Sequence, residues 1–432
     1  MTAPLPWLAP HRDTPFVGEV LVPGSKSLTN RVLILAALGD GPSVLTRPLG
    51  SRDTQLMAAA LTALGATIER DGVTWTVTPG TAGSAPVTID CGLAGTVMRF
   101  VPLLAALGTA SVTFDGDEHA RVRPMATTIA TLRGLGVEVD DGGRGSLPFT
   151  VHATGEVVGG DVEIDASASS QFVSALLLVG SRFAKGLDLR HTGATLPSMP
   201  HIEMTVAELR RRGVRITEHG GAAGATTRWV VDPGPVDALD VEIEPDLSNA
   251  GVFVAAALVT GGSVRVRSWP RDTDQAGDAW RTIVPAFGGT VTADGDDLVF
   301  SAGPTLDGVE LDLHDVGELT PVIAAMAALA DGPSRLTGVA HLRGHETDRL
   351  AALVTEINRL GGDAEELDDG LLVRPRPLHG DTFRTYDDHR MAHAAVVLGL
   401  RVPGLLVENV VTTIKTYPNF APVWERLMTS DR

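Results

Sequence analysis

A segment that opens on small or acidic residues, runs into Ala, Leu and Val and closes near glycine occurs six times in the 432-residue chain. It starts as "VPGSKSLTNRVLILAALGDG" at Val22 and returns as "DCGLAGTVMRFVPLLAALG" at Asp90, "DASASSQFVSALLLVG" at Asp165 and "EPDLSNAGVFVAAALVTGG" at Glu244. "HDVGELTPVIAAMAALADG" at His314 and "YDDHRMAHAAVVLGLRVPG" at Tyr386 complete the set, at intervals of roughly 65–80 residues. The opening residues suit helix caps and the closing glycine suits a helix stop. Each copy is followed by a second segment of helical period; in "HETDRLAALVTEINRLGGD" its apolar face is Leu350, Leu353, Ile357 and Leu360. Most of these end in glycine and lead into an alternating stretch such as "GVTWTVTPG", which reads as a strand. The expected unit is strand, helix, strand, helix and further strands, an α/β pattern repeated six times. Units of this length do not read as a solenoid, whose repeats run to about 20–50 residues. Three units per globular domain fit ordinary domain sizes, and "VVDPGPVDALD", Val230–Asp240, marks the loop after which the domain boundary is placed.

Cations occupy an unexpected place in this pattern. Lys26, Arg31, Arg99, Arg349, Arg390 and Lys415 lie at or near predicted helix starts, and Arg121 and Arg123 lie just ahead of another. A helix start carries partial positive charge and ordinarily attracts acids. Each cation alone could be a surface group or the partner of a nearby carboxylate. Recurring across units, they point to a site for phosphate and carboxylate groups. The net charge is −18, which argues against a nucleic-acid surface and leaves any anionic ligand to a local cationic cluster.

Other motifs exclude other chemistries. "GSKS" lacks the spacing of a phosphate loop, and no G-x-G-x-x-G follows a strand. His389 and His393 are four apart, but no third metal ligand accompanies them, so no metal is expected. Ser169 and Ser170 have no evident His–Asp relay and read as ligand-binding hydroxyls rather than nucleophiles. Cys91 is the single cysteine, which rules out internal disulfides and reads as a buried structural thiol in a reducing compartment. The N-terminus lacks signal-peptide features and no apolar run reaches about 18 residues, so the expectation is a cytoplasmic protein without membrane contact.

"PGSKSLTNR", "LAGTVMR", "SASSQF", "HETDRL", "DHRMA" and "IKTYP" follow one another in an order that resembles the enolpyruvyl transferase family, in its shikimate 3-phosphate branch, from about Val22 to Pro418. The resemblance implies two similar domains, each of three βαβαββ units (an inverse α/β barrel), with the active site in the interdomain cleft. The chain would cross twice, giving one domain from residues 1–24 plus 245–432 and another from 25–244. The implied reaction moves the enolpyruvyl group of phosphoenolpyruvate to the 5-hydroxyl of shikimate 3-phosphate through a tetrahedral intermediate, with neither metal nor organic cofactor. Carried over by motif, Lys26, Gly95, Arg121, Arg349, Arg390 and Lys415 match phosphoenolpyruvate contacts. Lys26, Ser27, Arg31, Ser169, Ser170, Gln171, Ser198, Glu318 and His345 match shikimate 3-phosphate contacts.

The catalytic set implied is Glu318, Glu346, Lys26 and His345, with Glu346 serving proton transfer at the methylene. Glu318 is the expected base, and Asp315 is the alternative in the same segment. Arg121 and Arg123 are two apart, which leaves open which of them meets the donor. The chain departs from the family at Leu93 for Asn, His341 for Asn, His345 for Lys and Glu318 for Asp. The branch acting on UDP-N-acetylglucosamine has Asn after the lysine and a catalytic Cys, whereas here Ser27 follows Lys26 and "DEHARVRP" has no Cys. An RNA-phosphate cyclase is disfavoured by the acidic balance, and a non-catalytic phospho-ligand binder by the joint presence of Lys26, Glu318, Glu346 and Lys415. A monomer acting on two small molecules, and inhibited by glyphosate against Gly95, completes what the resemblance implies.

Overall fold

The computed structural model describes residues 5–81, 83–220 and 226–430. Two compact units divide the chain: Gly24–Ile243 forms one, and the residues up to Pro23 join Glu244–Arg432 in the other.

In the Gly24–Ile243 unit three four-stranded sheets share one plan: a parallel pair, then two antiparallel strands. Val87–Asp90 runs parallel to Ser111–Asp115, which pairs antiparallel with Phe149–His152 and through it with Glu138–Asp140. Gly160–Ile164, Leu187–His191, Thr226–Val231 and Ile216–Gly220 repeat the plan. In the first sheet the parallel partner of Ser43–Thr46 is Val241–Glu242, from the far end of the unit. The unit therefore closes on itself through its last strand.

The other unit uses the same device with the N-terminal segment. Val17–Val20 runs parallel to Ser263–Val266, completing a sheet with Asp297–Ser301 and Thr290–Asp294. Backbone pairing thus gives the early residues a place among those beyond Glu244. Glu310–Asp312, Ser334–Thr337, Gly370–Arg374 and Asp363–Leu367 form the next sheet. The sixth repeat departs from the expected pattern. Its sheet has three strands, Trp7–Leu8, Leu406–Val407 and Thr382–Phe383, because the chain turns into the Phe420–Thr429 helix instead of adding a hairpin. The fold is mixed α/β, and among the described residues every sheet stays open; none closes into a barrel.

The first helix of each repeat is the central element. Lys26–Leu38, Gly95–Ala105 and Gln171–Gly180 are buried along most of their length, as are Leu247–Thr260, Thr320–Ala328 and His389–Gly399. A helix apolar on all sides can only be satisfied inside. The second helices are amphipathic: Arg349–Arg359 buries Leu350, Leu353 and Ile357 beneath an exposed polar face. Each unit has its own continuous apolar core. In the larger-numbered unit Phe253 anchors an aromatic cluster with Tyr417, Phe420 and Trp424, ring centroids 5.6–6.2 Å apart. No helix among the described residues is long and apolar enough to cross a membrane.

Candidate active site

Side-chain caps open several of the helices that carry candidate site residues. Ser25 caps the Lys26 helix by accepting from the Leu28 N–H at 3.3 Å, and Asp348 caps the Arg349 helix by accepting from Ala351 at 3.1 Å. Asp388 accepts from the Arg390 N–H at 2.8 Å. These acids and hydroxyls satisfy the helix ends, so Lys26, Arg349 and Arg390 are free to occupy the first turn for another purpose. Lys415 differs from expectation: it ends the 3-10 turn Val410–Lys415 rather than beginning a helix.

In the Gly24–Ile243 unit, Lys26 Nζ lies 3.5 Å from the buried carboxylate of Asp53, a partner that composition and spacing did not flag. Arg31 is almost fully buried and ties the first repeat to the third. It donates to Thr205 Oγ1 at 2.7 Å, the His201 carbonyl at 2.9 Å and the Ser27 carbonyl at 3.1 Å, and covers the Phe100 ring. Arg99 donates to Gln171 Oε1 at 2.8 Å. Ser169 Oγ accepts from the Gln171 N–H at 3.3 Å; Ser170 and Ser198 are buried, and Ser198 adopts a left-handed φ of 57°.

Gly95 lies beneath two guanidinium groups. A Cβ placed on it would come within 3.1 Å of Arg99 and 3.3 Å of Arg123. The two candidate arginines, Arg121 and Arg123, differ in their surroundings. Arg121 is half exposed and held by Asp115 through two bonds of 2.9 and 2.7 Å, which depress the Asp115 carboxyl below its ordinary range. Arg123, just before Pro124, turns inward: it is 7% exposed, donates weakly to the Leu93 carbonyl at 3.4 Å, and leaves its buried Nε without a hydrogen-bond partner. A buried cationic donor left unmet is a place for an anion.

In the other unit a chain of buried charges alternates in sign. Lys415 Nζ donates to Glu346 Oε1 at 2.5 Å, and Arg349 donates to Glu346 Oε2 at 3.0 Å. Arg349 also grips Asp388 with bonds of 2.7 and 3.2 Å and meets His345 Nδ1 at 3.2 Å. Burial opposes the Arg349 charge, but Asp388 and Glu346 outweigh it and raise its pKa. Arg390 is different. Burial lowers its pKa despite the charges of Asp246, Glu318 and Asp388, and among the described residues its guanidinium makes one long 3.4 Å bond, to Asn249, and no ion pair.

Glu318 lies in the 3-10 turn Gly317–Leu319, which leads into the Thr320 helix, and accepts from Ser248 Oγ at 3.1 Å. Its charge is felt at Arg349, Arg390 and His341, whereas Asp315 is exposed. His341 is pushed down to about 4, chiefly by burial and then by His314, so it is neutral at physiological pH. Its ring stands 5.8 Å from His345 and 6.2 Å from His314. His393, once considered with His389 as a metal pair, packs its ring 4.8 Å from Phe420 in the core. Sequence reasoning missed Asp388, Asn249 and Ser248. The first lay in plain view in "DDHRMA" but reads as a cap, and its second role as the Arg349 partner has no local signal.

The segment that presents Asp388 is strained. Tyr386 and Asp387 are adjacent non-glycine residues with φ of 53° and 54°. Such conformations cost about 1–3 kcal/mol each and persist only where surrounding contacts hold them.

Comparison with known proteins places the chain in a family. A family profile described as EPSP synthase (3-phosphoshikimate 1-carboxyvinyltransferase) matches residues 11–424. A 3-phosphoshikimate 1-carboxyvinyltransferase of Kocuria rhizophila is 54% identical over 444 residues, covering 98% of this chain and 97% of that one. Among solved structures, EPSP synthase from Acinetobacter baumannii superimposes with a TM-score of 0.78 at 22% identity over 97% of each chain. The enolpyruvyl transferase NikO from Streptomyces tendae gives 0.75 at 19% identity, over 98% of this chain and 97% of that one. These two distant structures establish the fold; the profile and the close relative establish the family. The chain belongs to the EPSP synthase family, the 3-phosphoshikimate 1-carboxyvinyltransferases.

Proposed function

We propose that the chain transfers the enolpyruvyl group of phosphoenolpyruvate to the 5-hydroxyl of shikimate 3-phosphate and releases phosphate. Lys26, Gly95, Arg123, Arg349, Arg390 and Lys415 are assigned to the donor, with Arg123 replacing Arg121. Ser27, Ser169, Ser170, Gln171 and Ser198 are assigned to shikimate 3-phosphate, and Arg31 to holding the helix that carries Ser27. Family membership supports these assignments, as do the two buried guanidiniums of Arg123 and Arg390.

In the addition step Glu318 takes the 5-hydroxyl proton as the oxygen bonds to C2 of the donor. The Lys415–Glu346 pair delivers a proton to C3, turning the methylene into a methyl. In elimination a proton leaves that methyl for Glu346 and the C2–O bond to phosphate breaks. Fixed cations stabilise the leaving charge throughout. General acid and base groups of this kind contribute about 10²–10⁴ each.

One observation carries catalysis over mere binding: Glu346 is a partly buried carboxylate shared by two cations. An anion-binding pocket alone has no use for an acid there, since it repels the ligand. Soluble anionic substrates also fit a cytoplasmic monomer. The test is phosphate release from phosphoenolpyruvate with either shikimate 3-phosphate or UDP-N-acetylglucosamine as acceptor. Release with the first acceptor alone is expected. Release only with the sugar nucleotide, or binding without turnover, would refute the reading.

A further inference from the structure

The strained turn at Tyr386–Asp387 is held by side chains that the reaction itself does not use. Glu356, fully buried, lies seven residues after Arg349 on the same helix. Its Oε1 accepts from Tyr386 Oη at 2.7 Å, and its Oε2 accepts from the Arg384 N–H at 3.0 Å and from Arg359 Nε at 2.9 Å. On the opposite side Glu408 accepts from the Thr385 N–H at 3.0 Å, and Asn409 donates to Asp387 at 3.3 Å. The Arg349–Arg359 helix therefore meets this segment twice, at Arg349–Asp388 and two turns later at Glu356–Tyr386. Two contacts about 10 Å apart along a rigid helix fix an angle as well as a distance.

We propose that Glu356 and Tyr386 are positioning residues for the phosphoenolpyruvate site: by clamping the left-handed turn they set where Asp388 grips Arg349 and where Arg390 enters its helix. The clamp rests on the reading above that Arg349 and Arg390 hold the donor. Tyr386 is raised to about 12, by burial and then by Glu356, so its hydroxyl remains a donor throughout the working pH range. Arg359 and Arg384 are the cations nearest this hydroxyl, and Glu356 is its acceptor. Without the clamp the turn would relax toward ordinary φ values, and the Arg390 fork would lose its aim without leaving the fold.

Steady-state kinetics on three variants of the full chain test this. Tyr386→Phe removes one oxygen and is expected to raise KM for phosphoenolpyruvate about 3- to 10-fold, the worth of one hydrogen bond. KM for shikimate 3-phosphate should stay within about twofold. Glu356→Gln, which sets an amide NH2 against the donors that Glu356 now accepts from, should raise the same KM in the same range. Arg390→Lys is the reference arm. If it raises the donor KM while Tyr386→Phe does not, the clamp is refuted and the donor assignment stands. If Arg390→Lys itself leaves the donor KM unchanged, the donor assignment fails and the clamp fails with it. Equal rises in both KM values, or a donor KM left unchanged by Glu356→Gln, would also overturn the proposal, because a merely structural Glu356–Tyr386 pair lowers active fraction and melting temperature without a donor-specific effect.

Discussion

Arg121 and Arg123 are separated by one valine, yet only one of them lies beside Gly95. The carboxylate of Asp115 captures Arg121 at the surface, and Pro124 follows directly on Arg123. Arg121→Ala is therefore expected to leave donor KM within about twofold, since exposed pairs contribute little. Arg123→Lys should raise it by tenfold or more, because an ammonium does not reproduce a guanidinium fork. Reversed effects in steady-state kinetics would return the role to Arg121. A second residue-scale expectation concerns the base. Glu318→Gln should keep shikimate 3-phosphate affinity within a few-fold and lose about 10²–10⁴ in turnover, whereas Asp315→Asn should be mild; single-turnover assays separate the two. At this scale the sequence displayed the candidate residues, because Lys26, Glu318, Glu346, Arg349, Arg390 and Lys415 sit in recognisable motifs. It did not display which cation a neighbour would neutralise. That depends on Asp115 and Asp388, whose contacts are set by the fold rather than by spacing.

Among the elements, the six buried helices were readable because their burial leaves an all-round apolar signature, although only three of them, opening after Ser25, Asp246 and Asp388, have a side-chain cap. The sheets were less so. In two sheets the parallel partner comes from a distant part of the chain, Val241–Glu242 beside Ser43–Thr46 and Val17–Val20 beside Ser263–Val266, and no local pattern encodes it. The His389–Gly399 helix also hides a cost. Both ring nitrogens of His393 are buried without a hydrogen-bond partner, and burial keeps the ring's pKa well below its ordinary value. The unfolded chain binds a proton there below about pH 6.5, while the folded chain does not. Stability must therefore fall as pH drops through that range. His393→Leu is expected to flatten this dependence, with thermal melts at pH 7.5 and 5.0 differing less than in the parent. An unchanged difference would place the acid sensitivity elsewhere. In the same unit, Phe253→Ala should cost about 3–5 kcal/mol in denaturant unfolding, as expected for emptying an aromatic core position.

At the scale of the whole molecule, the chain has a net charge of −18, so the proposed set of residues must meet two anionic substrates through a few individual cations. A net negative charge of this size favours solubility. The two units have the same sheet plan, which is why six weak copies of one segment were more informative than any single motif. The central claim is that this set performs addition and then elimination at the enolpyruvyl group. Running the reaction in deuterium oxide with phosphoenolpyruvate and shikimate 3-phosphate tests it most directly. The transient methyl group formed by the Lys415–Glu346 pair would carry solvent deuterium and lose either isotope on elimination. NMR of the product should show an enolpyruvyl ether at the 5-oxygen, partly deuterated in its methylene, with one phosphate released per ether formed. An ether wholly free of deuterium, or phosphate released without any ether, would contradict the account.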